Sequence, residues 1–279
     1  MGSDRSKLSK RHGAIPCSQY REDGYLPESL INFLAFLGWN PGTEREIYSL
    51  ASLVKEFSID RIQKGGAIFN VKRLDFLNGF YIRQKSVDKL TELCLPYLLN
   101  SGLIEPVFKA GRYPPAYGAS EIIQAYKIIA TNEEIGFTDF KKVIALYQER
   151  LKKISEISEL VDYFFKDKVE FDRGLLSWRQ TTETETITAL NRLSTVLSAI
   201  KDKDWTKENL ENKLVPEAEK FGEEIGKGKD RGYLLWPLRV ALTGKKASAG
   251  PFEVAEILGK EKTLKRLSEA QKKGRATII

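Results

Sequence analysis

Residues 26–38 read Leu26-Pro27-Glu28-Ser29-Leu30-Ile31-Asn32-Phe33-Leu34-Ala35-Phe36-Leu37-Gly38, and this stretch predicts a helix packed against a core. Its apolar residues recur at the spacing of one helical face: Leu26, Leu30, Ile31, Leu34 and Leu37. Pro27 suits a first helical position and Gly38 suits a helix end. The stretch therefore predicts one complete amphipathic helix.

The helical period continues along most of the chain. It recurs in residues 50–57, where the apolar positions are Leu50, Leu53, Val54 and Phe57. Ser86 is a suitable N-cap for a following amphipathic segment. Further helices are predicted from Ser120 to Thr131 and from Thr138 to Leu151. Strand signals are confined to residues 67–69 and 103–108, so the predicted fold is all-α, built of consecutive helical bundles.

Charge and rare residues exclude several kinds of site. The chain of 279 residues has 45 Lys and Arg against 38 Asp and Glu, a net charge of +7 that permits a polyanionic partner. A single histidine, His12, and two distant cysteines, Cys17 and Cys94, exclude a His/Cys zinc site and disfavour a disulfide scaffold. We expect no metal site, and we expect Cys94 to fill a core position on its helix.

The same residues bear on location. No apolar run approaches the ~18 to 20 residues that span a bilayer, and the N-terminus lacks the hydrophobic segment of a signal peptide. Two unpaired thiols fit a reducing compartment. The sequence therefore predicts a cytoplasmic protein without a membrane partner.

The first residues carry the strongest chemical signal. Residues 4–13, Asp4-Arg5-Ser6-Lys7-Leu8-Ser9-Lys10-Arg11-His12-Gly13, place four cations within seven positions beside two serines and a closing glycine. Such a loop suits an oxygen-rich anion, because lysine ammonium groups are mobile point charges that follow a phosphate. On charge alone, a solvated basic arm is the alternative interpretation.

The order of residues adds a resemblance. Lys7-Leu8-Ser9-Lys10-Arg11 resembles the KMSKS signature of class I aminoacyl-tRNA synthetases in its KLSKR form, and four later blocks are similar to the glutamyl-tRNA synthetase family. These blocks are residues 20–28 (YREDGYLPE), 32–39 (NFLAFLGW), 76–83 (FLNGFYIR) and 238–244 (LRVALTG), with Glu256-Ile257-Leu258-Gly259-Lys260-Glu261 near the end. The resemblance runs from about residue 4 to residue 271.

The chain departs from the family in one large respect. Members carry a Rossmann-type catalytic domain with a HIGH-type motif before the KLSKR loop, and no such motif is present here. The resemblance thus implies a C-terminal portion, and Met1-Gly2-Ser3 is typical of a cloning start, so we expect an engineered truncation. The implied domains are a KLSKR loop remnant (1–13), a helical stem-contact domain (14–116) and two helical anticodon-binding parts (117–177 and 178–279).

The resemblance assigns the KLSKR loop to ATP, which the full-length enzyme uses with magnesium to attach glutamate to tRNA-Glu. Lys10 is then the principal phosphate contact, and Lys7, Ser9 and Arg11 support it. Fixed positive charge stabilises the transition state only in a partly desolvated cleft. We therefore expect this chain alone to bind no cofactor and to catalyse no aminoacylation.

RNA recognition is expected to rest on two sets of residues, one around Arg150 and one made of Trp236, Arg239 and the loop that contains Ser248. By resemblance, the position of Arg150 reads the first anticodon base and favours cytosine; the alternative is a surface salt bridge with a neighbouring glutamate. Trp236 and Arg239 share one helical face and are expected to meet the other two bases. The family position of Ser248 supplies a hydroxyl, although this chain has Ser248-Ala249-Gly250-Pro251 where the family often has Thr-Pro-Gly-Leu.

Simpler interpretations stay open for the aromatic residues. Trp236 also suits a core position beside its leucine neighbours. Trp178 and Arg179 form a third aromatic–cation pair, which either binds RNA or only joins the two anticodon-binding parts.

The predicted function is therefore the tRNA-binding C-terminal part of a glutamate–tRNA ligase, with tRNA-Glu as partner and a monomer as the expected state. Alternatives are a freestanding helical RNA-binding module, the C-terminal region of a class I lysyl-tRNA synthetase, and a helical scaffold for protein partners. A scaffold would lack the linear fall of log affinity with log salt that RNA binding shows.

Overall fold

The computed structural model describes residues 16–107 and 125–275, and these are mainly helical, which confirms the all-α prediction in its main feature. The helices are α1 (Cys17–Glu22), α2 (Pro27–Ala35), α3 (Leu50–Glu56), α4 (Val71–Arg83), α5 (Val87–Asn100), α6 (Phe137–Ala145), α7 (Ile157–Val161), α8 (Glu183–Ala199), α9 (Lys207–Glu224), α10 (Gly232–Thr243) and α11 (Pro251–Arg275). Short 3₁₀ turns occupy Ile59–Arg61, Ile154–Glu156, Asp162–Phe164, Arg173–Leu176 and Asp202–Asp204. Three strands, β1 (Ile104–Pro106), β2 (Ala125–Ile128) and β3 (Glu134–Gly136), form a small sheet in that order.

The chain divides into two compact units. The first comprises the described residues within Met1–Tyr126 and Ile135–Glu159, and the second comprises Lys127–Glu134 and the described part of Leu160–Ile279. The domain boundary predicted at 116/117 lies outside the described residues. The one at 177/178 stays a prediction, and it falls inside the second unit.

In the first unit, α2 packs against α4 around a small aromatic and aliphatic core that includes Phe33, Leu74 and Leu77. The side chain of Asn70 accepts the backbone N–H of Arg73 in the first turn of α4. The side chain of Ser86 likewise accepts the N–H of Lys89 in α5, as predicted for Ser86. Cys94 is fully buried on α5, which confirms its predicted core position, and burial raises the pKa of its thiol to about 12.

In the second unit, α8, α10 and α11 pack together and α9 covers them. A capping box starts α8, because Thr182 and Glu185 each accept a backbone N–H from the other. Gly259 interrupts α11 with φ 76° and ψ 165°, a conformation open to glycine and almost no other residue.

Two predictions about the middle of the chain are wrong. The helix predicted from Ser120 to Thr131 is replaced, within the described residues, by β2, whose residues alternate half-buried and buried. The helix predicted from Thr138 to Leu151 begins at Phe137 and ends at Ala145, and turns follow as far as Arg150. In the first case the apolar run was short enough to suit a helix or a strand. In the second case Tyr147 and Leu151 are buried as the helical spacing predicts, but from turns that follow α6.

The predicted buried face of α2 is also wrong in part. Phe33, Ser29 and Asn32 are buried, whereas Ile31 and Leu34 are exposed. Asn32 is buried because its amide donates to the carbonyl of Glu46 and accepts the N–H of Tyr48. Polar partners thus set the orientation of this helix as much as apolar spacing does.

No helix in residues 16–107 and 125–275 is long and apolar enough to cross a membrane.

Candidate nucleic-acid interface

In the first unit, Arg150 stands on the turn that follows α6. Phe140, Val143, Ile144 and Tyr147 are buried, while Arg150 is exposed. Its guanidinium carbon lies 5.8 Å from the centre of the Tyr147 ring, within range of a cation–π contact. The turn therefore presents one arginine to solvent above a buried aromatic support.

Both sides of that turn are tied to the end of α4. The amide of Gln148 donates to three carbonyls at the C-terminal end of α4 and just beyond it: Ile82 at 3.2 Å, Arg83 at 3.4 Å and Lys85 at 2.8 Å. On the other side, the carbonyl of Lys152 accepts a hydrogen bond of 2.6 Å from Asn78. Arg150 is therefore held on a segment fixed at two points two residues away from it.

Asn78 is the hub of this arrangement, and it is fully buried. Its oxygen accepts the N–H of Leu26 at 2.8 Å and the hydroxyl of Ser29 at 2.7 Å. Its nitrogen donates to Lys152 and, at 3.2 Å, to the carbonyl of Gly24. One side chain thus joins three separate stretches of the chain.

Gly24 allows those stretches to approach closely. It has φ +87°, and a Cβ there would lie 2.5 Å from the backbone nitrogen of Ser155. The sequence pattern assigns no role to Asn78 or Gln148. The available signal was an asparagine inside an otherwise amphipathic helix, because asparagine is a poor helix former that needs a specific partner there.

In the second unit, Trp178 and Trp236 pack against each other. Their ring centres are 4.9 Å apart with an angle of 40° between the planes, and both side chains are half-buried. The indole N–H of Trp236 donates to the carbonyl of Leu175 at 2.7 Å, and that of Trp178 donates to Asp230 at 3.3 Å. Trp236 is therefore neither a fully buried core residue nor a fully exposed one.

Gly232 makes room for the tryptophan pair. A Cβ at this position would collide with the indole ring of Trp178. Arg179 follows with φ +51°, a left-handed conformation, and its exposed guanidinium pairs with Asp230 at 3.1 Å. It also lies 5.4 Å from the ring centre of Trp178. Trp178, Arg179 and Trp236 thus form a single cluster.

Arg239, one turn after Trp236 on α10, holds the loop that follows the helix. Its Nη1 donates to the carbonyl of Ser248 at 2.9 Å, to the Ser248 hydroxyl at 2.8 Å and to the carbonyl of Ala249 at 2.9 Å. Ser248 is only 4% exposed. Its hydroxyl therefore faces the arginine, and the predicted contact between this hydroxyl and a base stays a prediction.

Lysines surround the start of this loop. The carboxylate of Asp162 forms ion pairs with the ammonium groups of Lys245 and Lys166, and each nitrogen–oxygen distance is 2.5 Å. Burial raises the pKa of Asp162, but these two lysines outweigh that effect and hold it below its usual range. The ammonium group of Lys262 donates to the carbonyl of Phe164 at 3.0 Å. Burial, together with repulsion from Arg266, lowers the pKa of this ammonium group. The second unit therefore concentrates positive charge around the turn at its Asp162–Phe164 segment.

The four residues predicted to contact ATP, namely Lys7, Ser9, Lys10 and Arg11, lie outside the described residues. Within residues 16–107 and 125–275, no group of His, Cys, Asp and Glu side chains is arranged to hold a metal ion.

Two family models match the chain. The model of an anticodon binding domain matches residues 89–271, and the catalytic domain of class I tRNA synthetases (E and Q) matches residues 1–76. The chain belongs to the glutamyl-tRNA synthetase family. It corresponds to a C-terminal portion of such an enzyme.

Individual relatives agree with this assignment. The chain is 34% identical to the glutamate–tRNA ligase of Desulforamulus reducens over 98% of its own length and 50% of that protein. It is 35% identical to glutamate–tRNA ligase 1 of Caldicellulosiruptor saccharolyticus, over 96% of its own length and 48% of that protein. The chain thus spans about half the length of these curated relatives.

A solved structure supports the fold. The crystal structure of a glutamate tRNA ligase from Elizabethkingia meningosepticum, in complex with its amino acid, superimposes with a TM-score of 0.70 at 24% identity. The superposition covers 96% of this glutamyl-tRNA synthetase portion and 49% of the solved chain.

Proposed function

We propose that this chain is the tRNA-binding part of a glutamate–tRNA ligase and that it reads the anticodon loop of tRNA-Glu. The observation that carries the proposal is the cluster on α10, where a guanidinium is fixed on a loop one helical turn from a partly exposed indole. Proteins read unpaired bases by stacking them on aromatic or guanidinium planes and by hydrogen bonds to base edges.

In this proposal Arg239 has two tasks. Its Nη1 fixes the loop through Ser248 and Ala249, and the planar guanidinium is held in one orientation as a result. Ser248 then acts by positioning the arginine, and Trp236 offers the neighbouring stacking surface. Trp178 packs against Trp236, and Arg179 lies over the ring of Trp178.

Arg150 is proposed to read the first anticodon base. Arginine only donates hydrogen bonds, so it pairs with the acceptor groups of a base such as cytosine and not with a base that presents only donors. The fixed turn between Gln148 and Lys152 supports this role, because a reader of base identity must keep its position.

The test is filter binding of the chain to tRNA-Glu and to transcripts that differ only in the anticodon. Arg239→Ala is expected to weaken binding to tRNA-Glu about tenfold, the loss of roughly one stacked base. Arg239→Lys keeps the charge but loses the planar fork, so discrimination among anticodons should fall while the salt dependence persists. Lys213→Ala, an exposed lysine on α9, serves as the control and should bind as the unaltered chain does.

The role of Arg150 is tested by a separate variant. Arg150→Gln should reduce the preference for cytosine at the first anticodon position without changing the salt slope, since glutamine both donates and accepts. If anticodon changes leave binding by the unaltered chain untouched while salt still weakens it, the base-reading proposal fails and only a grip on phosphates is left.

The activity of the whole enzyme is also a proposal for this chain. Joined to a complete catalytic domain, it would serve the ATP- and magnesium-dependent attachment of glutamate to tRNA-Glu, in the cytoplasm and as a monomer. Alone, it should show no ATP–pyrophosphate exchange, and detectable exchange by the purified chain would contradict this.

A further inference from the structure

A stripe of large apolar side chains on α3 faces solvent in the first unit. Periodicity predicts a buried face made of Leu50, Leu53, Val54 and Phe57, yet Leu53 is the only buried member of this set. The exposed fraction of Val54 is 76%, and that of Ile59, in the next turn, is 77%. Within residues 16–107 and 125–275, only part of the face that this spacing predicts is therefore covered.

These residues form one surface, here named the α3 patch: Leu50, Val54, Phe57, Ile59 and Ile62. Leu50 and Val54 are one helical turn apart, and Phe57 follows on the same side. The Phe57 ring lies 5.6 Å from the ring of Trp39, and Ile62 pairs with the backbone of Trp39 in an isolated bridge. Phe57 and Ile62 thus both lie against the same buried tryptophan.

Exposure of this kind is concentrated in one part of the chain. Eleven large hydrophobic residues are exposed in the described part, and ten of them lie between Ile31 and Phe76. The other is Ile129. The ten fall inside residues 1–76, the stretch that matches the catalytic domain of class I tRNA synthetases. The uncovered surface therefore belongs to the segment that relatives build into a larger domain.

We propose that the α3 patch binds the remainder of the class I catalytic domain, the part that relatives carry outside the half matched by this chain. Aliphatic side chains bury well against another protein surface, whereas RNA recognition calls for cations and stacking groups. A second copy of the chain would not explain why the exposed residues coincide with the catalytic-domain match. The proposal rests on family membership and not on RNA binding, so either can fail without the other.

The test measures thiol accessibility in the patch. In a Cys17→Ser background, single Val54→Cys and Ile59→Cys variants are labelled with a maleimide, and Ile129→Cys is the matched control on an exposed apolar site elsewhere. Labelling is repeated with an excess of the half of the Desulforamulus reducens glutamate–tRNA ligase that this chain does not match. We expect labelling at positions 54 and 59 to slow about tenfold while position 129 is unchanged, because thiol reactivity depends on access.

A second variant tests affinity directly. Val54→Asp should weaken binding of the ligase half about tenfold in a calorimetric titration, whereas Ile129→Asp should leave it unchanged. Equal labelling at all three positions, or no binding between the two proteins, would overturn the proposal. So would protection of positions 54 and 59 that rises with the concentration of this chain alone, which would assign the patch to a second copy.

Discussion

Replacing Asn78 with alanine removes both halves of a buried amide at once. Two of its partners have a second bond: the Ser29 hydroxyl also donates to the carbonyl of Leu26, and the Gly24 carbonyl also accepts the N–H of Ile154. The loss therefore falls on the N–H of Leu26 and the carbonyl of Lys152.

The buried N–H of Leu26, left without a partner, costs roughly 1–3 kcal/mol, and the lost hydrogen bond to the part-buried carbonyl of Lys152 costs about 1 kcal/mol more. Alanine returns about 0.5 kcal/mol through its higher helix propensity. We therefore expect Asn78→Ala to lower the local free energy of unfolding by roughly 3 kcal/mol. The effect should appear both at the start of α2 and in the segment after Arg150, because Asn78 joins the two.

Amide hydrogen exchange followed by mass spectrometry measures this directly in peptides covering residues 26–35 and 148–156. Asn100→Ala, at the exposed end of α5, is the matched control and should change stability by less than about 0.5 kcal/mol. A loss below about 1 kcal/mol in Asn78→Ala, or a loss confined to only one of the two peptides, would refute the hub assignment.

Three further outcomes concern the second unit. Arg266 is buried and donates hydrogen bonds to three backbone carbonyls. Arg266→Met should therefore lower the free energy of unfolding by about 3–5 kcal/mol in a denaturant titration. Lys265→Met, which changes an exposed neighbour, is the control and should not lower it. Gly232→Ala should displace the adjacent indole, visible as a change in near-ultraviolet circular dichroism, and an unchanged spectrum would contradict the packing described. The pKa of Asp162 is lowered in the folded state, so its stabilising contribution is present above its ordinary value of about 4 and is lost as the pH falls through the lower folded-state value. Asp162→Asn should therefore be less stable than the unaltered chain at neutral pH, and the difference should shrink on acidification.

The sequence predicted helices best where a long period met clear boundary residues. Residues 86–100 carry a serine cap and a sustained apolar face, and α5 forms there with Cys94 buried, as expected. Short apolar runs were ambiguous. Residues 125–128 follow a period that suits a helix or a strand, and pairing with neighbouring strands, which a local pattern does not contain, decides for β2.

The sequence predicted which residue types make up the candidate site, but not which hydrogen bonds hold them in place. The placement of Trp236 and Arg239 one turn apart on one helix followed from their spacing in the sequence. The inward orientation of Ser248 did not, because it depends on where the loop returns to meet the guanidinium. The role of Asn78 could not be predicted for the same reason, because its hydrogen-bond partners lie 49 to 74 positions away along the chain.

Gly244 sets a limit on how the α10 loop can be re-engineered. It ends the helix at φ +67°, and a Cβ there would lie 2.7 Å from the carbonyl of Glu170, so any other residue strains the backbone and pushes against a neighbouring segment. A mutagenesis library aimed at new nucleotide preferences would gain most by varying the exposed Lys246 and Ala247 while position 244 stays fixed. Selection from such a library would then sample loop chemistry without discarding most clones as misfolded.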